Sequence, residues 1–175
     1  DRETRYDARN FGRRTQNISP NIEMALKYDF SIIGWIKKQT NLPVIPKGIV
    51  YYKDTLKLIE QGIDAIWLSN HGGRMFNSGI SGVDILKDHK KYIKNKLPII
   101  IDGGVRKGTD IIKYLSLGAD MIGIGRPALY GLIADGHIGV ENVFNIFHNE
   151  LKIAMTNGGF KNIEDIKKSK IRNNE

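Results

Sequence analysis

Lys47, His71 and Arg74 are the side chains in this sequence best suited to carry chemistry. A histidine changes charge near neutral pH and can take a proton as a general base. An arginine can hold a carboxylate by two parallel hydrogen bonds. His71 follows an apolar run, has Gly72 and Gly73 behind it, and precedes Arg74 by three positions. A base beside a carboxylate clamp suits a small acid with a reactive hydrogen next to its carboxyl group. Lys47 ends another apolar run and supplies a point charge able to stabilise an electron-rich ring or enolate. Two further strings, Gly103-Gly104-Val105-Arg106 and Gly125-Arg126, combine glycine with arginine. Glycine lets a backbone approach a ligand closely, and a helix start near Thr109 would aim free N–H groups at the same place. The two loops together read as an anion site, with phosphate the expected ligand.

These residues fall at the ends of short apolar runs that alternate with helical patterns. Helices are expected at Asp29–Lys38, Lys53–Gln61, Val83–Lys94 and Asp110–Leu117, the last capped by Thr109. A further helix starts near Ala128, and a longer one covers Val140–Met155 with Val140, Val143, Phe144, Phe147, Leu151 and Met155 on one face. A short last helix follows Asn162. Strands are expected at Val44–Ile49, Asp64–Ser69, Ile99–Asp102 and Asp120–Gly125. Strands alternating with helices build a parallel sheet whose ligands sit at the strands' carboxyl ends. There is also an internal repeat. Leu42-Pro43-Val44-Ile45-Pro46-Lys47-Gly48 resembles Leu97-Pro98-Ile99-Ile100-Ile101-Asp102-Gly103, and Gly62-Ile63-Asp64-Ala65 resembles Gly118-Ala119-Asp120-Met121. A repeating unit of two βα modules is what half of a (β/α)8 barrel contains. The expected fold is therefore α/β: half of a TIM barrel, with four parallel strands and flanking helices, over residues 29–175. Residues 1–28, which carry Arg2, Arg5, Arg9, Arg13 and Arg14, read as an arginine-rich loop segment.

Composition narrows the remaining choices. The chain has 175 residues, enough for one domain, and 41% hydrophobic against 26% charged residues, an ordinary globular balance. It contains no cysteine, which removes thiol nucleophiles, disulfides and cysteine-held metals. No apolar run reaches the roughly 20 residues of a membrane span. The net charge of +8 is spread through helical segments, without a nucleic-acid motif. Nucleic acid is accordingly not an expected partner. His89 lies on a lysine-rich helix, His137 in a loop and His148 off the apolar face of its helix, so no pair has metal-ligand spacing. The chain starts at Asp1 and reads as a fragment of a longer protein.

Taken together, Lys47-Gly48, Ser69-Asn70-His71-Gly72-Gly73-Arg74, Asp102-Gly103-Gly104-Val105-Arg106-Lys107-Gly108-Thr109-Asp110 and Gly125-Arg126-Pro127 resemble the FMN-dependent α-hydroxy acid oxidase and dehydrogenase family. The resemblance covers about residues 30–165, with Asp7-Ala8-Arg9-Asn10 matching more loosely. It implies that the chain is the C-terminal half of the barrel, that FMN is the cofactor, and that a small 2-hydroxy acid is oxidised to the 2-oxo acid. His71 would be the base and Arg74 the substrate-carboxylate ligand. Lys47 and Ser69 would touch the flavin. Asp102, Gly103, Gly104, Val105, Arg106, Gly125 and Arg126 would hold its ribityl chain and phosphate. A homo-oligomer, a tetramer in the family, would form at full length. Two departures stand out: Pro46 precedes Lys47, and Met75-Phe76-Asn77 replaces a more usual Gln-Leu-Asp. The competing expectation is a non-catalytic half-barrel that binds phosphate or FMN, or pairs with a missing half. The expected compartment is the cytoplasm, with the peroxisome as the alternative; Asn173-Asn174-Glu175 is no peroxisomal address.

Overall fold

The structure is a computed structural model that describes residues 29–73, 79–94 and 97–169. The arginine-rich segment 1–28 and Arg74 lie outside the described residues. The order of elements is α1 (Ser31–Gln39), β1 (Lys47–Ile49), α2 (Tyr52–Glu60), β2 (Ile66–Leu68), a 3-10 turn (His71–Gly73), α3 (Gly82–Ile93), β3 (Ile99–Asp102), α4 (Gly108–Ser116), β4 (Met121–Gly123), α5 (Arg126–Gly158) and α6 (Ile163–Lys168). The strands form one parallel sheet in sequence order, β1-β2-β3-β4. A parallel neighbour in sequence order, reached through a helix each time, is the repeating step of a (β/α)8 barrel, and four such strands make half of one.

Alternation along the strands divides the sheet into two faces. Ile66, Leu68, Ile99 and Ile101 point outward and are at most 1% exposed, packed with Leu58, Ile85, Leu86, Tyr114 and Phe147. Each such burial contributes about 1.5–3 kcal/mol before chain entropy is set against it. On the other face, pairing aligns Lys47, Trp67, Ile100 and Met121 in one row, and Asp102 with Gly123 in the next. Chemistry-bearing residues therefore line the inner face, and the hydrophobic core lies beneath the helices.

The strands are shorter than the apolar runs suggest. Pro46 has no N–H to donate, but its carbonyl still accepts from Trp67, and Val44 accepts from Asp64. The β1 ladder proper starts only at Lys47, and its register shifts between Lys47 and Ile49. The helix after β3 starts at Gly108, not Asp110, and Thr109 lies inside it, so Thr109 is not its cap. The Asp110 carboxylate takes that role, accepting from the amides of Arg106 (3.0 Å) and Lys107 (3.1 Å). The two expected C-terminal helices are arms of α5, broken at Asp135-Gly136, where Gly136 has φ +54°. The arms meet at Gly131 and Gly139, where a β-carbon on either would run into the backbone of the other. Phe147 is buried as expected, whereas Phe144 is exposed.

Candidate functional site

Four side chains on and just beyond three neighbouring strands form a connected polar group. The Ser69 hydroxyl donates to Asp102 Oδ1 at 2.6 Å and accepts from Lys47 Nζ at 3.2 Å. Lys47 Nζ stands 2.9 Å from Asp102 Oδ2, and the Trp67 indole N–H donates to that same oxygen at 3.0 Å. Ser69 is buried, so its hydroxyl would be costly to leave unpaired; here both its donor and its acceptor capacity are used. This arrangement fixes the Lys47 ammonium at the rim while leaving its side chain 40% exposed to the cavity. The register places these residues together: Lys47, the first residue of β1, pairs with Trp67 of β2, while Ser69 lies just past β2 and Asp102 ends β3.

His71 sits in an unusual backbone. It has φ +54°, and Gly72 and Gly73 follow at +70° and +75°. A histidine tolerates this region better than most side chains, though at a cost of about 1–3 kcal/mol. Neighbours hold the turn in place. The His71 amide donates to Ser69 Oγ at 3.1 Å. Asn70 Oδ1 accepts from Gly72 (3.0 Å) and Gly73 (3.2 Å), and Asn70 Nδ2 donates to the Ile80 carbonyl at 2.9 Å. The imidazole lies over Gly48, where a β-carbon would come within 2.8 Å of its Cε1. Gly48 is thus the floor under the ring.

The glycine–arginine loops line the same space. A cavity of about 360 Å³ is bounded by Lys47, Trp67 and His71 on one side and by the 102–106 and 123–126 segments on the other. Gly103 and Gly104 have φ +102° and +73°, and side chains at Gly104 or Gly125 would project into open space. Arg126 reaches across to Gly72, whose β-carbon would meet its Nη2 at 3.1 Å. Among the described residues, neither Arg106 nor Arg126 takes part in an ion pair. Two guanidinium groups without carboxylate partners, beside bare glycine backbone, fit an anionic group such as a phosphate.

The start of α4 contributes less to that cradle than expected. Its first amides are taken within the chain: Arg106 and Lys107 donate to Asp110, and Gly108 donates to Glu150 Oε2 at 2.7 Å. Burial alone would raise the Asp110 carboxyl, but the Arg106 amide, the Lys113 ammonium and the Lys107 amide outweigh it and hold it below its ordinary value. An ionised Asp110 at that helix start competes with any anion there. The Tyr114 hydroxyl donates to the Gly103 carbonyl at 2.7 Å. Burial first, then the charges of Asp102 and Asp110, holds its phenol above the ordinary value, so it stays a donor.

Of the residues expected from sequence, Lys47, His71, Asp102, Gly103, Gly104, Val105, Arg106, Gly125 and Arg126 all border the cavity, and buried Ser69 lies just behind it. Val105 is itself 2% exposed and contributes backbone more than side chain. Trp67 and Gly123 were missed. The signal was present in Ile66-Trp67-Leu68, where alternation turns the tryptophan inward while its neighbours enter the core. His89 proves fully buried, bonded through Nε2 to Thr55 Oγ1 at 2.9 Å and through Nδ1 to the Ile85 carbonyl at 2.7 Å. Among the described residues no group of three metal-type ligands forms, and no helix is long and apolar enough to cross a membrane.

Comparison with known proteins sets this geometry in context. The profile of the FMN-dependent dehydrogenase family matches residues 3–173. An L-lactate oxidase from Lentilactobacillus hilgardii is 46% identical over 141 residues, covering 81% of this chain and 38% of its own. The 2-hydroxyacid oxidase 1 of Mus musculus is 35% identical over 168 residues, covering 94% and 45%. Among solved structures, a candidate lactate oxidase from Pediococcus acidilactici superposes with a TM-score of 0.83 at 36% identity, covering 97% of this chain and 49% of that one. A mandelate oxidase variant solved with an FMN adduct gives 0.76 at 28% identity, covering 80% and 45%. The chain thus spans less than half the length of these relatives.

Proposed function

The chain belongs to the FMN-dependent dehydrogenase family, and we propose that it supplies the phosphate cradle and catalytic base of an enzyme oxidising a small 2-hydroxy acid to the 2-oxo acid. The observation that carries this reading is the single cavity. It brings two arginines that form no ion pair among the described residues, a glycine backbone cradle, a lysine and a histidine to one rim. Arg106, Arg126, Gly103, Gly104, Val105 and Gly125 hold the ribityl phosphate of FMN. Asp102 acts from behind, by fixing Ser69 and Lys47. Lys47, which lines the same cavity, would supply positive charge to the reduced ring. Bound FMN supplies a two-electron sink that takes up the equivalent of a hydride.

The chain's own residues do the rest. The His71 imidazole takes one proton from the substrate, and its turn aims the ring over Gly48 into the cavity. Arg74, one residue beyond Gly73, holds the substrate carboxylate. On the inner row, Lys47 stays 40% and Met121 62% exposed, with no described element covering them. Activity therefore belongs to the complete barrel, in a cytoplasmic homo-oligomer. Exposed Leu129, Tyr130, Leu132 and Ile133 on α5 are suited to contact the other half or another copy.

The test is direct. The complete protein, purified and held without oxygen, should show a flavin absorbance band that bleaches on adding lactate or glycolate. Replacing His71 with alanine should keep the colour and abolish the bleaching. A protein that takes up no FMN, or flavin-loaded protein that no 2-hydroxy acid reduces, would refute the reading.

A further inference from the structure

Among the described residues lining the cavity, Trp67 is the largest side chain, and the roles above leave it without a task. It stands on the inner face of β2, paired with Lys47 on β1 and Ile100 on β3. Its indole N–H donates to Asp102 Oδ2, the oxygen that also takes Lys47. The Lys47 ammonium lies 4.9 Å from the centroid of its ring. One side chain thus touches both members of the ion pair. The fit depends on β4: a β-carbon at Gly123 would stand 2.9 Å from Trp67 Cζ2 and 3.1 Å from Asp102 Cβ. A side chain at this position would collide with the indole that reaches the carboxylate.

We propose that Trp67 is a positioning residue for Lys47, and that by sharing Asp102 with it the indole sets how much of the ammonium charge reaches the flavin. The inference rests on the FMN reading above. The physical chain is short. A carboxylate oxygen with two donors spreads its attraction over both. Without the indole N–H, Asp102 Oδ2 keeps only the ammonium and draws it more strongly. Less positive charge then faces the reduced, electron-rich ring, and reduction becomes less favourable. A phenylalanine would keep the bulk and the attraction of a ring face for the cation, but would lose the N–H. A leucine would lose both.

The experiment is the two-electron midpoint potential of FMN in the complete protein, measured by equilibration with a dye of known potential. W67F should shift the oxidised–reduced equilibrium three- to tenfold toward the oxidised form, about 15–30 mV lower for a two-electron couple. W67L should shift it further. In a D102N background W67F should add nothing, because the effect runs through the carboxylate. A purely space-filling indole gives the opposite pattern: W67F equal to the parent, and W67L additive with D102N. Either an unchanged potential in W67F or an equal shift in the D102N background overturns the proposal. A parent protein that binds flavin and bleaches normally, alongside a silent W67F, sinks this inference alone. A parent without flavin sinks the functional reading with it.

Discussion

Replacing Gly48 with alanine would test whether the backbone under the imidazole sets where His71 acts. Two effects combine at this position. Gly48 has φ +94°, a conformation that L side chains rarely adopt, with a cost of about 1–3 kcal/mol in a folded chain. The new methyl would also sit 2.8 Å from His71 Cε1, against an ordinary contact of 3.4–4 Å. Relief requires the ring or its turn to move by about 1 Å, and a misplacement of that size costs roughly 100-fold in rate. The expected result is kcat per bound flavin lower by about two orders of magnitude, with FMN retained, because Gly48 does not belong to the phosphate cradle. The assay is steady-state oxidation of a 2-hydroxy acid by the complete protein, normalised to flavin absorbance, with urea unfolding run in parallel. A destabilised but correctly built site would lose flavin or folded protein and keep its rate per flavin. Turnover per flavin within about twofold of the parent would refute the placement of His71 over Gly48.

Other outcomes follow from the same geometry. Arg126→Met should weaken FMN binding by about 10–100-fold, the loss of one charge-assisted hydrogen bond of roughly 1.5–3 kcal/mol. It should leave riboflavin, which lacks the phosphate, nearly unaffected, and fluorescence titration with both ligands reads the difference. Thr55→Val leaves His89 Nε2 buried without its hydroxyl partner and should cost about 1–3 kcal/mol in urea unfolding. Burial holds the His89 imidazole below its ordinary value of 6.5, against the upward pull of the Ile85 carbonyl and the Asp88 charge. The unfolded chain therefore gains a proton near pH 6.5 that the folded chain resists, so stability falls as pH drops below that value. His89→Asn should make the urea midpoint less sensitive between pH 7.5 and 5.5. Gly108→Ala should destabilise by about 2 kcal/mol or more, since its methyl would enter the backbone of Glu150 and Leu151. Thermal melts of the complete protein check this.

Much of the molecule was legible because the signals were local. Leu-Pro before two of the apolar runs, glycine after the helices that precede the other two, and a repeated βα step were enough to place the four strands in sequence order. The carboxyl-end rule then gathered His71, Asp102 and Arg126 at one rim, whereas Lys47 reaches the same cavity from the first residue of β1. What the sequence hid depended on side chains meeting across strands. Asp102 reads as a ligand residue from its position beside two glycines, but its two oxygens are taken by Ser69, Trp67 and Lys47. Thr109 reads as a cap from its type, yet Asp110 reaches back to the amides first. His89 sits among lysines in sequence, and only the crossing of α2 and α3 turns it into a buried hydrogen-bonded pair with Thr55. Glycines 48 and 123 carry no chemistry of their own. Their value lies in what stands above them, which no single strand records.

The division of the sheet into two faces separates what holds this chain together from what it does. Outward residues such as Ile66, Leu68 and Ile101 are packed beneath helices and do not line the cavity. Truncating one to alanine removes about 2–5 kcal/mol, with no route to the cavity except through the backbone. Inward residues bury less and bond more. Lys47, Trp67, Ser69 and Asp102 form one network, so a change at any of them reaches the others before it reaches the core. Mutational effects on stability and on flavin chemistry should therefore sort by strand parity: even against odd positions in β2, and odd against even in β3, follow from the register of Trp67 with Ile100. A parallel sheet with one face toward its helices and the other toward a shared interior makes this separation available. It lets the polar network vary at the rim while the apolar layer keeps the four strands in line.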